Sequence, residues 1–255
     1  GRVALANDFA YVATVNVGLQ VVDVQAAKTH TGMSDGSSIV GIYDTLGQGY
    51  RNPTDVVAYK GGRLALTTTG GYLILLDINM PQVPMEMAAF KPTPGPNNYN
   101  FDSAWRVVVA PEFAYTDLGA ASQDPNVIEP GPVAMNNTMV IDLAVTSSMQ
   151  GRIHTVDITD PYNPVVMGVT KDSEGNEVIV SISDITISKA SGLVYATAGM
   201  SVYIIDVKDP NNPKLLNIVT QTPDEPGSAT LTTLGSSMAL VEKDGWVYLA
   251  NQNKG

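Results

Sequence analysis

Two charged residues, Asp55 and Asp184, each open a segment that is expected to be a strand with side chains alternating between the inside and the outside. Asp77 follows Asp55, and Asp206 follows Asp184, by the same 22 positions, which makes the two segments equivalent parts of a repeat. A repeat fold brings the ends of equivalent segments together. Two carboxylates with nearby loop oxygens suit Ca²⁺, which takes about 6–8 oxygen ligands. The sequence therefore predicts a metal site at Asp55 and Asp184.

Arg106 is aligned with these two aspartates and changes the chemistry of the predicted site. Its guanidinium opposes a cation and would instead bind an anionic group through two parallel hydrogen bonds. A purely structural role is the alternative for all three residues, which would then cap loops and pair with one another.

An aromatic and amide-rich segment precedes Arg106 and is the second candidate site. It contains the four residues Asn98, Tyr99, Asp102 and Trp105, and Arg51 lies in an earlier connector expected on the same face. Aromatic rings beside amides and carboxylates suit a sugar or a peptide. These five residues form the predicted ligand-binding set. The alternative is an ordinary turn with Trp105 packed in the core.

Several other kinds of chemistry lack the residues they need. The chain has no cysteine, which excludes disulfides, thiolate nucleophiles and thiolate metal sites. Its two histidines, His30 and His154, stand in no catalytic motif such as Gly-x-Ser-x-Gly, and both are expected to be structural or surface residues.

Composition narrows the class of protein further. The net charge of −11 disfavours nucleic acid, and no run of lysine or arginine offsets it. No apolar run reaches the roughly 18 residues of a membrane-spanning helix. Few charged residues, 23 glycines and 16 prolines, with many β-branched residues, favour an all-β fold in a chain of 255 residues.

The element that positions the candidate residues is clearest between Leu193 and Val219. It predicts three short strands separated by a Gly-Met turn and by a turn at Asp209-Pro-Asn-Asn-Pro213. The middle strand ends in an apolar pair followed by Asp, a pattern that recurs along the chain and ends at Asp23, Asp77, Asp157 and Asp206. Each of these carboxylates is expected to accept backbone N–H groups in its own turn.

The recurrence predicts a single β-propeller over residues 1–255, made of four-stranded blades. We expect blades at about 1–44, 55–90, 105–170, 183–219 and 237–255, the last incomplete. The third carries an insertion at 111–137 that shows no strand pattern and projects from the face opposite the ligand site. About four and a half blades are visible, and we expect a segment of a propeller with roughly six to eight blades, or assembly through the open edge of the last blade.

These repeats resemble the LVIVD-repeat family, which is named for an apolar run ending in Asp. The match is closest at Val194-Tyr-Ala-Thr-Ala198 and Val202-Tyr-Ile-Ile-Asp206 with the following Asp-Pro-Asn-Asn-Pro turn, and it covers most of the chain outside the insertion. The resemblance implies a β-propeller, typically in bacterial or archaeal proteins that are exported or attached to the cell surface. It implies no activity and no catalytic residues.

The sequence thus predicts a non-catalytic, acidic propeller module, extracellular or at the cell surface, with the periplasm as the alternative compartment. It would bind protein, peptide or glycan, or build a surface assembly, and needs no cofactor unless calcium is bound. The rival interpretation is a Ca²⁺-dependent hydrolase in which Asp55 and Asp184 hold the ion and a carboxylate acts as base. A purely structural spacer is the third possibility.

Overall fold

The computed structural model describes residues 2–29, 38–91, 104–117, 137–148, 151–220 and 237–251. Their strands form four antiparallel four-stranded sheets and one two-stranded sheet, each built from strands adjacent in sequence. This confirms the all-β fold with four-stranded blades. The first strands of successive blades contact one another, which makes them the inner layer, and the fourth strands lie outermost.

Blades one and two follow the same order of strands. Blade one comprises β1 (Val3–Ala6), β2 (Phe9–Thr14), β3 (Gly18–Asp23) and β4 (Ile39–Tyr43), with a short helix α1 (Val24–Thr29) after β3. Blade two comprises β5 (Pro53–Tyr59), β6 (Arg63–Thr68), β7 (Leu73–Asp77) and β8 (Met85–Phe90).

The remaining strands complete two blades and begin a fifth sheet. Blade three comprises β9 (Ala104–Asp117), β10 (Asn137–Ser148), β11 (Ile153–Asp157) and β12 (Val165–Val169). Blade four comprises β13 (Asp184–Ser188), β14 (Leu193–Ala198), β15 (Ser201–Asp206) and β16 (Lys214–Thr220). The fifth sheet pairs β17 (Ser237–Lys243) with β18 (Trp246–Asn251).

Two features differ from the expectation. Strand β9 continues to Asp117 and pairs with β10 from Asn137, so the ends of the expected insertion are strands and not an irregular loop. Burial explains this extension, because Phe113, Tyr115 and Ile141 pack in one cluster with apolar residues of blade four. The second difference is helix α1, since the predicted four-stranded blade contains strands and turns alone.

The repeated aspartates act locally, as expected. Asp23, Asp77, Asp157 and Asp206 each accept a hydrogen bond from the backbone N–H two residues further on, at 2.8 to 2.9 Å. Asp23 also accepts the N–H of Ala26 and so caps the start of α1. These bonds stabilise the turn that follows each third strand and leads to the fourth strand.

Neighbouring blades pack through the turn that joins the third and fourth strands. A Cβ added at Gly168 in blade three would lie 2.5 Å from the ring of Pro213 and 2.7 Å from the carbonyl oxygen of Pro210 in blade four. The hydroxyl of Thr155 donates to the same Pro210 carbonyl at 2.6 Å. A Cβ added at Gly41 of blade one would likewise lie 2.6 Å from the Gln82 carbonyl oxygen in the corresponding turn of blade two. The prolines of these turns are therefore packing surfaces as well as strand terminators.

Candidate functional site

The inner layer of the molecule collects four charged side chains from blades one to four: Arg2, Asp55, Arg106 and Asp184. Arg2 donates to Asp184 at 2.7 Å, and the Nε of Arg106 lies 3.6 Å from the same carboxylate oxygen. Both arginines also act electrostatically on Asp55. The tertiary structure thus brings together the three aligned residues that the sequence singled out, and adds Arg2.

The two aspartates of this inner cluster also join one blade to the next. Asp55 accepts the backbone N–H of Val107 at 3.1 Å, and Asp184 accepts that of Leu240 at 2.8 Å. Each bond runs to the first strand of the following sheet. Asp55 accepts its second bond from Val56. The carboxylate oxygens therefore already serve backbone and arginine donors.

Burial sets the electrostatics of the inner cluster. Desolvation raises the pKa of Asp55, while the bond from Val107 and the charges of Arg2 and Arg106 oppose that rise. Desolvation, followed by the charge of Arg2, lowers the pKa of Arg106. No group of three or more acidic or histidine side chains suited to a metal ion occurs in the described part of the chain. The calcium prediction for Asp55 and Asp184 stays a prediction.

The second arrangement lies on what we call the connector face, formed by the turns between second and third strands and by the connectors between blades. Within the described residues this face comprises 15–17, 44–52, 69–72, 91, 151–152, 170–183 and 199–200. Arg51 lies here and is exposed. Asn98, Tyr99 and Asp102, and the side chain of Trp105, fall outside the described residues, so most of the predicted ligand set stays a prediction.

Hydrogen bonds on both sides hold the segment around Arg51. Tyr50 donates its backbone N–H to Thr45 at 2.8 Å. Asn52 receives the N–H of Thr69 on its backbone oxygen and the N–H of Asn16 on its side chain, both at 2.8 Å. Arg51 itself has a φ of 66°, in the left-handed region that disfavours side chains. The arginine is thus presented from a fixed backbone.

A group of aromatic residues lies beside Arg51. Tyr50 and Tyr72 pack with their ring centres 4.8 Å apart and their planes tilted by 52°. The ammonium of Lys91 lies 5.5 Å from the centre of the Tyr72 ring, a cation–π geometry. Below them, Glu86 accepts hydrogen bonds from the hydroxyls of Tyr43 and Tyr50.

Burial and the neighbouring carboxylate determine the protonation of these phenols. Desolvation, and then the hydrogen bond to Glu86, raise the pKa of both Tyr43 and Tyr50. Both therefore remain neutral donors at physiological pH and keep the Glu86 carboxylate oriented. Sequence reasoning placed Arg51 on this face but missed Tyr43, Tyr72, Glu86 and Lys91, which come together only when blades one and two pack.

The connector face also exposes large apolar side chains. Val15 is 59% exposed, Leu46 39%, Ile179 57% and Met200 49%. They come from blades one, three and four, and exposed apolar residues gathered on one face are typical of an interaction surface. Among the described residues no helix is long and apolar enough to cross a membrane.

Comparison with solved structures agrees on the fold. Over 98% of its length the chain is similar to a chain in the crystal structure of the mitotic checkpoint complex, with a TM-score of 0.54 and 11% identity, and it covers 57% of that chain. It is also similar to Chaetomium thermophilum Sqt1 bound to the N-terminus of the ribosomal protein L10, with a TM-score of 0.53, 12% identity, and coverage of 86% of this chain and 48% of that one.

These two structures are β-propellers, and the likeness shows that this chain has the same fold. The chain spans about half the length of both neighbours. No protein-family model and no curated protein sequence matches it.

Proposed function

We propose that the chain is a non-catalytic propeller module that binds a protein or peptide through its connector face. The observation that carries the proposal is the combination of a fixed backbone around Arg51 with four exposed apolar side chains on the same face. Binding energy concentrates where apolar and arginine side chains are presented by a rigid scaffold, because little conformational entropy is lost on association. Sqt1 is bound to the N-terminus of another protein, the ribosomal protein L10, and it offers a precedent for this fold.

Two finer statements belong to the same proposal, and a third stands apart from it. The apolar-Asp repeats and their Pro turns support membership of the LVIVD-repeat family, and with it an exported or cell-surface location in a bacterium or archaeon. A glycan is the alternative ligand of the connector face. Calcium at Asp55 and Asp184 is a separate proposal, in which the ion would compete with the arginine and backbone donors that now occupy these carboxylates.

Selection of binders from a random peptide library displayed on phage tests the proposed function. We expect peptides enriched on the wild-type chain to bind at least about tenfold more weakly to the double variant Val15→Ser with Met200→Ser, since loss of two buried apolar contacts costs more than 1.4 kcal/mol. Both side chains are exposed, so the fold is retained. The matched control is Met80→Ser with Val83→Ser, two exposed residues of the opposite face, which should leave binding unchanged.

Two outcomes would contradict the proposal. One is no enrichment from the library, which favours a structural spacer. The other is an equal loss of binding in both double variants, which removes the connector face as the site. A glycan array probed with the same three proteins decides whether sugars bind in place of peptides.

A further inference from the structure

The surface around Arg51 brings two exposed cations next to aromatic and apolar groups. Arg51 follows Tyr50, whose ring packs on Tyr72, and the ammonium of Lys91 lies over that second ring. Within the described residues Arg51 has no ion-pair or hydrogen-bond partner. Two acids lie in the same region: Glu86 accepts two phenol hydroxyls, and Asp44 accepts the backbone N–H groups of Leu46 and Gly47. Positive charge is therefore available here, although the whole chain has a net charge of −11.

The backbone at Arg51 is a second and independent observation. Five non-glycine residues of the described chain have positive φ, and three of them, Asn7, Asn16 and Asp244, are types that tolerate it. Arg51 and Glu112 are not such types. Glu112 lies at the bulge where β9 pairs with β10, whereas Arg51 lies in a connector, and Gly49 two positions earlier shows the residue that this conformation favours. A strained conformation that presents an exposed cation points to a functional use of that cation.

The connections of Asn52 explain how the strain persists. Its backbone N–H donates to the Thr69 hydroxyl at 3.2 Å, and its carbonyl and side-chain oxygens accept the N–H groups of Thr69 and Asn16. Pro53 then restricts Asn52 to an extended conformation. These contacts hold the connector from both neighbouring turns, so the guanidinium is directed from a fixed position between blades one and two.

We propose that this surface, named here the Arg51 anchor, binds a single carboxylate of a partner peptide, with an adjacent apolar or aromatic residue packed on its tyrosines. The anchor consists of Val15, Leu46, Tyr50, Arg51, Tyr72 and Lys91. Arginine matches a carboxylate with two parallel hydrogen bonds, and the neighbouring lysine adds a second positive charge. Val15 and Leu46 are exposed and supply apolar contact.

Charge also limits the class of peptide. The chain carries 25 acidic and 14 basic residues, so a run of acidic residues would be repelled as a whole. One carboxylate at the anchor, from an Asp or Glu side chain or from the end of a chain, gains the local attraction without that penalty. This inference rests on the proposed function, because it names the ligand chemistry of the same face.

The test uses the tightest peptide obtained from the library selection, and its binding is measured by isothermal titration calorimetry. Arg51→Gly is the decisive variant, since glycine accepts the φ of 66° and removes the guanidinium. We expect its thermal midpoint to stay within about 2 °C of wild type, while binding weakens at least about tenfold, which corresponds to about 1.4 kcal/mol. Lys189→Ala, at an exposed lysine of the opposite face, is the matched control and should bind normally.

A twin peptide with its Asp and Glu residues replaced by Asn and Gln, and its C-terminus amidated, tests the ligand class. We expect the wild-type protein to bind this twin about tenfold more weakly than it binds the original peptide. The Arg51→Gly variant should bind the twin with the same affinity as the wild-type protein does. A selected peptide that binds the connector face but is indifferent to both changes would overturn the anchor and leave the proposed function standing. Absence of any selected peptide would overturn both the anchor and the proposed function. If a uronic acid glycan binds more tightly than the peptide, the glycan replaces the peptide as the ligand.

Discussion

At the residue scale, buried polar side chains report how tightly the blades pack. His154 on β11 is 3% exposed and lies two residues before Val156, which packs in the cluster shared with Leu73 and Leu75 of blade two. Desolvation, and then the charge of Arg152, lower the pKa of His154 to about 4. The imidazole is therefore neutral at physiological pH, which agrees with the expected structural role.

This pKa predicts that folding stability decreases in acid. Unfolded chains bind a proton at His154 below a pH of about 6.5, whereas the folded chain resists protonation until about pH 4. The stability present above pH 6.5 is thus lost progressively between the two values, by up to about 3 kcal/mol. Urea unfolding at pH 7 and pH 4.5 should show a smaller acid loss in His154→Gln than in wild type. Equal losses in the two proteins would show that this histidine is not the titrating group.

At the element scale, the turn between the third and fourth strands packs blade two onto blade one and blade four onto blade three. The turn at Pro210 to Pro213 sits on Gly168, and its carbonyl at Pro210 accepts the Thr155 hydroxyl. The same arrangement occurs between blades one and two, where Gly41 of blade one packs against Gln82 in the turn of blade two. The absence of a side chain at these positions is what lets the turn approach, because there is no space for a Cβ between the two backbones.

We expect Gly168→Ala to destabilise the fold by about 1–3 kcal/mol, the usual cost of forcing an extra group into a packed site. The added Cβ would lie 2.5 to 2.9 Å from a proline ring and two backbone oxygens. These groups cannot move aside as a flexible side chain would. Val165→Ala on the same strand, at a side chain 59% exposed, is the control and should change stability by less than about 0.5 kcal/mol. Chemical denaturation measures both, and equal stabilities would remove this contact as a lock.

At the scale of the whole molecule, the inner cluster links sheets that are far apart in sequence. Asp184 contacts Arg2 of blade one, lies 3.6 Å from Arg106 of blade three and accepts a backbone bond from Leu240 of the fifth sheet. Its side chain is only 5% exposed. Asp55 has the equivalent position in blade two. Desolvation raises the pKa of Asp55, which means that burial disfavours its charged form.

Neutralising the two aspartates should therefore have unequal effects. We expect Asp184→Asn to lose about 1–3 kcal/mol at pH 7, because it leaves Arg2 and Arg106 facing each other without that counter-charge. Asp55→Asn should lose about 1 kcal/mol, since an amide oxygen can still accept the Val107 N–H, only the short-range bond from Val56 is lost, and no charge is buried. Equal losses in urea unfolding would contradict this account of the inner cluster.

The same variants test the calcium proposal. That proposal predicts a thermal midpoint that rises with added Ca²⁺ and falls with EDTA in wild type, and that responds to neither in the double variant with Asp55→Asn and Asp184→Asn. An unchanged midpoint in wild type would end the proposal, and with it the hydrolase interpretation. Mg²⁺ is the control ion, because it demands a tighter octahedral set of ligands.

The sequence by itself determined the features that depend on neighbours within a few residues. The recurring apolar run that ends in Asp predicted the four-stranded blades, because each copy forms the same local structure. The same Asp predicted the turn after each third strand, which is confirmed, because that turn depends on a bond only two residues long. Only the tertiary structure decided which distant groups meet. Arg2 reaches Asp184 across 182 positions, and Glu86 joins two tyrosines of an earlier part of the chain.

The extension of β9 beyond residue 110 belongs to the same category. Its pattern alone did not indicate a strand, and its burial against blade four supplies the free energy that orders it. Arg51 has features that the sequence revealed and others that only the tertiary structure decided. Its type and connector were visible in the sequence, but its strained backbone and aromatic neighbours arise from contacts between blades one and two. Such contacts depend on packing between residues that no local pattern relates.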